Sequence, residues 1–420
     1  MKTTETTTPP EAIEEIKTLT DLVVDLLRSG EQFTDLHVES DQPAMLRRSV
    51  NDWSELKDAR GKPIVVKHAA IKEFLDGVFA QQDGAEADIA VDGAWRYRLN
   101  DAGSLHPAVT QNYEDLDGSV ASVRMRCTVQ KQMMGQSIGV VLRPLREIPK
   151  SVDSLGLPIQ AGQLLQSASS GLIVITGPTG SGKSTTLAAM INEINERRRA
   201  NILTIEDPVE FVHERKLSII NQRELGVDVN TYESGVRDAL RFVPDVILIG
   251  EIRDAQTMLA AVRAAESGHL VLTTMHAPTA GTAIRKMLAY FDNSQADGLA
   301  LSACLIGVIA QALIRGKDGK KIHLAYEVLN CRDTKVMEAV AGGVTDASGK
   351  QFATLDASIR QGSMGNATIP MIRSLKELVS NGSVDKRLAA NVAWHPDEKS
   401  ELLRMDDSQQ DRRANTGRSV

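Results

Sequence analysis

Aromatic residues make up only 4% of this 420-residue chain, and there are three cysteines, Cys127, Cys304 and Cys331. Scattered thiols without CxxC spacing exclude a disulfide scaffold and a cysteine zinc site, and they fit a reducing compartment. No apolar run is long enough to span a bilayer. The longest, Leu301 to Ile314, is interrupted by Ser302 and Gln311 and falls short of the roughly 17 residues a spanning helix needs, so it reads as a buried helix. Positive charge is not in excess either. Forty-eight Lys and Arg against 55 Asp and Glu leave a net charge of −7, and direct nucleic-acid binding is not expected. The start, MKTTETTTPPEAIEEIK, lacks the basic and then apolar pattern of a signal peptide, from which a cytoplasmic location is expected.

What remains is ordinary globular composition, 42% apolar and 25% charged, at a length that suggests two to three domains. Residues 1–10 read as a flexible leader and 11–150 as a small α+β domain. In that domain, Ile13, Ile16, Val23, Val24 and Leu27 share one helical face that Gly30 ends. Leu36 to Val38, Ile64 to Val66 and Arg96 to Leu99 read as strands around a second helix, Ala69 to Phe79, and Asp101 to Ser122 as a surface loop. From Gly171 the texture changes to β-branched runs, Leu172 to Thr176, Ile202 to Ile205, Val246 to Ile249 and Leu270 to Thr274, separated by helical stretches. That alternation predicts an α/β core with a parallel sheet over 151–315. Residues 316–396 read as a helical region around one strand, Ile322 to Val328, and 397–420 as a disordered tail.

Gly177-Pro178-Thr179-Gly180-Ser181-Gly182-Lys183-Ser184 matches the phosphate loop, G-x-x-x-x-G-K-[ST], between a β run and the helical spacing of Leu187, Met190, Ile191 and Ile194. The chemistry needs these residue types. Glycines let backbone N–H groups turn around phosphate oxygens, Lys183 reaches the β and γ phosphates, and Ser184, followed by Thr185, can ligate Mg²⁺. ATP and Mg²⁺ are the implied ligands. Glu251, just past the strand Val246 to Ile249, is placed to hold the metal or position water. Glu206, Asp207 and Glu210 follow another strand; one of them can accept a proton from water while Glu206 and Asp207 hold the metal. His269 and His276 flank a further strand and are expected to sense the γ-phosphate.

GPTGSGKSTT, ILTIEDPVEFVH, INQRE, PDVILIGEIRD and AAESGHLVLTTMH together resemble the Walker A, aspartate, Walker B and histidine boxes of the PilT-type secretion ATPases. The likeness is dense over 171–291 and has echoes at 34–38, 141–149 and 301–314. It implies a RecA-like P-loop core, a smaller PAS-like N-terminal domain and a hexameric ring that hydrolyses ATP to drive a type IV secretion, conjugative-transfer or type IV pilus machine. Carried over onto this chain, Glu210 is the catalytic base, Glu251 the Walker B acid, and His269 with His276 the histidine box. The resemblance also implies arginines reaching the nucleotide in trans, with Arg96, Arg98, Arg124, Arg126 and Arg143 as candidates. Docking would be on inner-membrane platform components, without zinc. Cys331 to Gly343 stands where retraction ATPases carry an AIRNL-type helix, and the pattern suits the DotB-like and TraJ-like branch. Pilus retraction proper and nucleic-acid translocation are the alternatives.

Overall fold

The computed structural model describes residues 18–29, 31, 33–49, 52–58, 60–80, 104–105, 108–114, 120–132, 137–144, 148–291, 295–319, 321–343, 350–360 and 368–405. The expected leader, Ile13, Ile16, Gly30, Arg96 to Leu99 and the last residues of the expected tail lie outside them. The chain divides into two compact units, Met1–Arg146 and Glu147–Val420.

The first unit runs α1 (Leu19–Arg28), β1 (Asp35–Glu39), β2 (Met45–Ser49), β3 (Asp52–Glu55), α2 (His68–Ala80), β4 (Ser104–Leu105), β5 (Ala108–Glu114), β6 (Val120–Gln132) and β7 (Ser137–Pro144). Thr18 and Asp21 cap α1 reciprocally, and its face Leu19, Leu22, Val23 and Leu26 is buried. The strands form one sheet in the order β3-β2-β1-β7-β6-β4, with β5 also paired to β6. Two expectations are corrected here. The stretch expected as a surface loop supplies β4, β5 and the start of β6, because antiparallel backbone pairing between Ala108–Glu114 and Val120–Arg126 needs no strong apolar pattern. Ile64 to Val66 is not a strand, and Val65 makes only an isolated bridge to Pro43.

The second unit begins with α3 (Ile159–Gln166) and alternates strand and helix: β8 (Gly171–Thr176), α4 (Lys183–Arg197), β9 (Asn201–Glu206), β10 (Ile219–Glu224), α5 (Tyr232–Ala239), β11 (Val246–Ile249), α6 (Ala255–Glu266), β12 (Leu270–Met275), α7 (Ala280–Ala289) and α8 (Gln295–Cys304). It closes with β13 (Leu305–Arg315), β14 (Ile322–Asn330), α9 (Thr334–Gly343), α10 (Lys350–Arg360), α11 (Met371–Ser380), α12 (Lys386–Val392) and α13 (Pro396–Leu403). The sheet order is β10-β9-β11-β12-β8-β13-β14, parallel throughout except for β14. Strand alternation divides the core between its two faces. Leu172 and Val174 of β8 join Leu203, Ile205, Ile247 and Ile249 on one side. Ile173 and Ile175 join Leu187, Met190 and Ile191 of α4 on the other. Burial on both faces is why these strands read as continuous apolar runs.

Only the first part of Leu301 to Ile314 is helix; the rest is β13, wedged between β8 and β14. A fully buried apolar run has no period to separate helix from strand, and the β-branched Ile306, Val308 and Ile309 decide for strand here. Close packing also enters. A Cβ on Gly307 would stand 2.6 Å from the Leu164 side chain and 3.0 Å from the Leu329 carbonyl. The core sheet therefore continues past residue 315, and the expected boundary there cuts the β13–β14 hairpin. The C-terminal helices pack on this hairpin, where Ile314 and Ala325 meet Met371, Leu375 and Val379. The start of the expected tail is α13, ordered by burial of Leu402 and Glu398. Among the described residues, no helix is long and apolar enough to cross a membrane.

Candidate active site

The carboxyl ends of β8, β9, β11 and β12 share one edge of the sheet, the side on which open α/β sheets bind ligands. β8 ends at Thr176, and the loop 177–182 delivers the chain to Lys183, the first residue of α4. Gly177 and Gly182 have φ of 148° and 86°. A Cβ at 177 would lie 2.3 Å from the Gln311 carbonyl, so only glycine lets the loop approach β13 this closely. Pro178, Thr179 and Gly180 form the exposed rim, Ser184 and Thr185 open the first turn of α4, and the Ser181 hydroxyl is buried without a hydrogen-bond partner. Lys183 Nζ donates to the Gly177 and Pro178 carbonyls, each at 3.0 Å. Burial lowers its pKa, and the Glu251 and Glu210 carboxylates oppose that shift.

His276 connects this lysine to Glu251. Its Nδ1 lies 3.5 Å from Lys183 Nζ, and its Nε2 lies 3.1 Å from Glu251 Oε1. An ammonium can only donate, so Nδ1 accepts and Nε2 carries the proton toward the carboxylate. The Thr176 hydroxyl holds the segment in place, donating to the Ala277 carbonyl at 2.7 Å and accepting from the Ala277 N–H at 3.0 Å. The end of the phosphate-loop strand is thereby joined to the segment bearing His276. Glu251 does not cap α6, since Asp254 takes that place by accepting from the Thr257 N–H. Its second oxygen instead receives Arg253 Nε at 2.9 Å.

Glu210 is exposed beside this line, and its charge acts on Lys183. Glu206 is deeper; burial pushes its carboxyl up in pKa, while hydrogen bonds from Thr204 and Gln222 work against that shift. Asp207 faces Arg253 Nη1 at 3.4 Å. Among the described residues no group of three or more His, Cys, Asp or Glu side chains converges as a cation site. The expected metal set of Ser184, Glu206, Asp207 and Glu251 is therefore not assembled as one cage, because Glu206 and Asp207 are engaged elsewhere.

The structure separates the two histidines. His269 stands before β12, where its Nδ1 lies 3.0 Å from both Ser267 Oγ and the Ala264 carbonyl, and its own carbonyl accepts from Gly171 at the start of β8. A full strand, about 20 Å at 3.3 Å per residue, separates that end from the phosphate loop. Within one subunit His269 is thus not at the loop, and of the two histidines only His276 stands beside Lys183. Of the arginines, Arg143 pairs with Asp35 at 2.7 Å, and Asp35 is buried and also faces Arg47. Removing Arg143 leaves a buried carboxylate short of a partner, so its role in the first unit is structural. Arg124 and Arg126 lie on β6 opposite Thr110 and Ala108, and Arg96 and Arg98 are outside the described residues.

Sequence reasoning missed Tyr232, Arg253 and Glu327. The Tyr232 hydroxyl is raised in pKa by burial and by Asp207, and it packs against Gly250 beneath the acidic group. Glu327 accepts from the Ala280 N–H at 2.8 Å, at the start of the helix that follows His276. Burial pushes its carboxyl from 4.5 up to about 7, with Glu398 and Asp356 adding and the Ala280 and Met371 N–H groups opposing. The folded chain keeps this proton up to about pH 7, whereas the unfolded chain releases it near 4.5, so stability falls as pH rises between them. Glu327→Gln keeps the acceptor oxygen and is expected to remove about 1–3 kcal/mol of that loss. Urea unfolding at pH 5 and pH 8 measures it; equal losses in both proteins would rule out Glu327 as the source.

Known proteins resemble this chain in sequence and fold. The family model described as Type II/IV secretion system protein matches residues 116–369. The twitching motility protein of Neisseria gonorrhoeae is 36% identical over 268 residues, 63% of this chain and 69% of that protein. The type IV pilus retraction ATPase PilT of Pseudomonas aeruginosa is 36% identical over 264 residues, 62% and 73% of the two chains. A crystal structure of the pilus retraction motor PilT with bound ADP superposes with a TM-score of 0.72 at 30% identity, covering 92% of this chain and 99% of that one. The Legionella pneumophila ATPase DotB, at 20% identity and a TM-score of 0.69 over 92% and 97% of the chains, shares the fold. The α/β core is therefore RecA-like, and by the span and order of these matches the chain belongs to the type II/IV secretion system protein family.

Proposed function

We propose that this chain is an ATPase, the motor subunit of a type IV secretion, conjugative-transfer or type IV pilus machine, acting as a hexameric ring. The observation that carries the reading is the hydrogen-bonded line Lys183, His276 and Glu251 at the mouth of a glycine-formed phosphate loop, with Glu210 beside it. The unpartnered Ser181 hydroxyl and the left-handed glycines fit a phosphate ligand. The loop and Lys183 hold the β and γ phosphates. Glu210 takes a proton as water attacks the γ-phosphorus, and the bond to the β–γ bridging oxygen breaks to give ADP and phosphate. Ser184 and Glu251 would hold Mg²⁺, directly or through water, and the ion would supply neutralisation of phosphate charge. His276, resting on Glu251, turns presence or loss of the γ-phosphate into a different hydrogen-bond arrangement.

Among the described residues Lys183 is the cation seated inside the loop, while Arg253 is held by Glu251 and Asp207, so a further cation would come from a neighbouring copy, with Arg96, Arg98, Arg124 and Arg126 as sources; such an arginine is worth about 10³–10⁵ in rate in comparable enzymes. The working location is the cytoplasmic face of the inner membrane, reached through platform components of the machine. Pilus retraction is the second reading, favoured by the superposition on nearly the whole retraction motor. Mixing Lys183→Ala subunits with subunits lacking the four arginines is expected to restore turnover that neither shows alone. Absence of rescue, together with specific activity independent of concentration down to monomer, would refute the shared site.

A further inference from the structure

Gln311 is a polar side chain in the middle of β13, 1% exposed, in a strand with no other polar side chain before its last residue, Arg315. Its amide makes two hydrogen bonds, and both go to the phosphate-loop segment. Nε2 donates to the Ser181 carbonyl at 2.7 Å, and Oε1 accepts from the Thr186 hydroxyl at 2.9 Å. The carbonyl can only accept, which settles the orientation of the amide and makes Thr186 the donor. The backbone presses in as well: a Cβ on Gly177 would meet the Gln311 carbonyl at 2.3 Å, and one on Gly182 would meet Gln311 Nε2 at 3.3 Å. One residue of β13 therefore touches the loop at its start, at its end and in the first turns of α4.

We propose that Gln311 is a positioning residue for nucleotide binding, which aims the Gly182 N–H at a phosphate of the bound nucleotide. A trans peptide points its C=O and N–H in opposite directions. Drawing the Ser181 carbonyl down onto Gln311 turns the N–H of the same peptide, that of Gly182, up into the loop. The bond to Thr186 fixes the amide plane, so the Ser181–Gly182 peptide is held before the nucleotide arrives. An apolar side chain of the same size would fill the space but leave the Ser181 carbonyl free to rotate. Because Gln311 pairs with Tyr326 across the hairpin that carries the C-terminal helices, the loop and those helices share one anchoring strand.

The inference rests on the ATPase reading, and its test separates the two. Equilibrium binding of ATP and ADP is measured for wild type, Gln311→Leu and Gln311→Glu at pH 8 and pH 6, with melting temperatures alongside. Gln311→Leu is expected to weaken both nucleotides at least 10-fold, to raise KM by a similar factor and to change kcat much less. Gln311→Glu is expected to show the deficit at pH 8 and to recover toward wild type at pH 6, where a protonated carboxyl again donates to the Ser181 carbonyl. A folded Gln311→Leu protein binding within twofold of wild type overturns the inference. Should that variant fail to fold, the Glu variant decides: wild-type affinity at both pH values overturns it, as does a deficit that is equal at both and follows a lowered melting temperature. Wild-type protein that binds no ATP sinks the ATPase reading itself.

Discussion

Lys183→Ala is expected to lower kcat/KM for ATP by at least ~10³-fold, about 4 kcal/mol of transition-state stabilisation. The ammonium is the only cation of the described site that stands inside the loop, and burial has already removed part of its hydration. Alanine there leaves the loop to hold the phosphates by its backbone N–H groups without a charged side chain of its own. Folding should survive, because Lys183 bonds only to two loop carbonyls and to His276 and contributes nothing to either apolar core. Turnover within twofold of wild type would remove Lys183 from the site.

Glu251→Gln should separate binding from chemistry. The amide keeps the shape but only one acceptor oxygen, so it can meet Arg253 or His276 and not both, and ATP affinity is expected within about threefold of wild type. It loses the charge that would hold the metal and that faces the Nε2 proton of His276, and turnover should fall by about 10²–10⁴-fold. Glu210→Gln is expected to follow the same pattern, for loss of the group proposed to accept the proton. An equal loss of affinity and rate in the Glu251 variant would instead assign it a purely structural role through Arg253 and His276.

Much of this site was legible in the residues because phosphate binding constrains them locally. A loop that must turn its N–H groups inward needs glycines at 177 and 182, and the strand before it and helix after it announce themselves as a β-branched run and a helical face. The acid at 251 was equally readable, since the strand of residues 246–249 is too apolar to be anything but central. What was not readable depends on tertiary pairing. Gln311 looked like an interruption in an apolar helix, and its purpose exists only once β13 lies beside β8. Arg253 reaches Asp207, and Tyr232 feels the same acid, across the sheet edge, a relation with no signature in spacing. His269 and His276 did carry a signal that pointed the right way: residues seven apart across a strand stand at its opposite ends, so only one could be at the loop. The paired strands at 104–132 escaped notice because backbone hydrogen bonds hold a sheet together where side-chain pattern is weak.

Single-turnover hydrolysis with Mg²⁺, following radiolabelled ATP bound to wild-type chain and to Glu251→Gln in parallel, decides whether this loop and its acids hydrolyse ATP. Wild type should convert its bound ATP to ADP and phosphate while the variant retains ATP intact for at least a hundred times longer. Wild-type protein that releases its nucleotide unhydrolysed, or a variant that hydrolyses it at the wild-type rate, would contradict it.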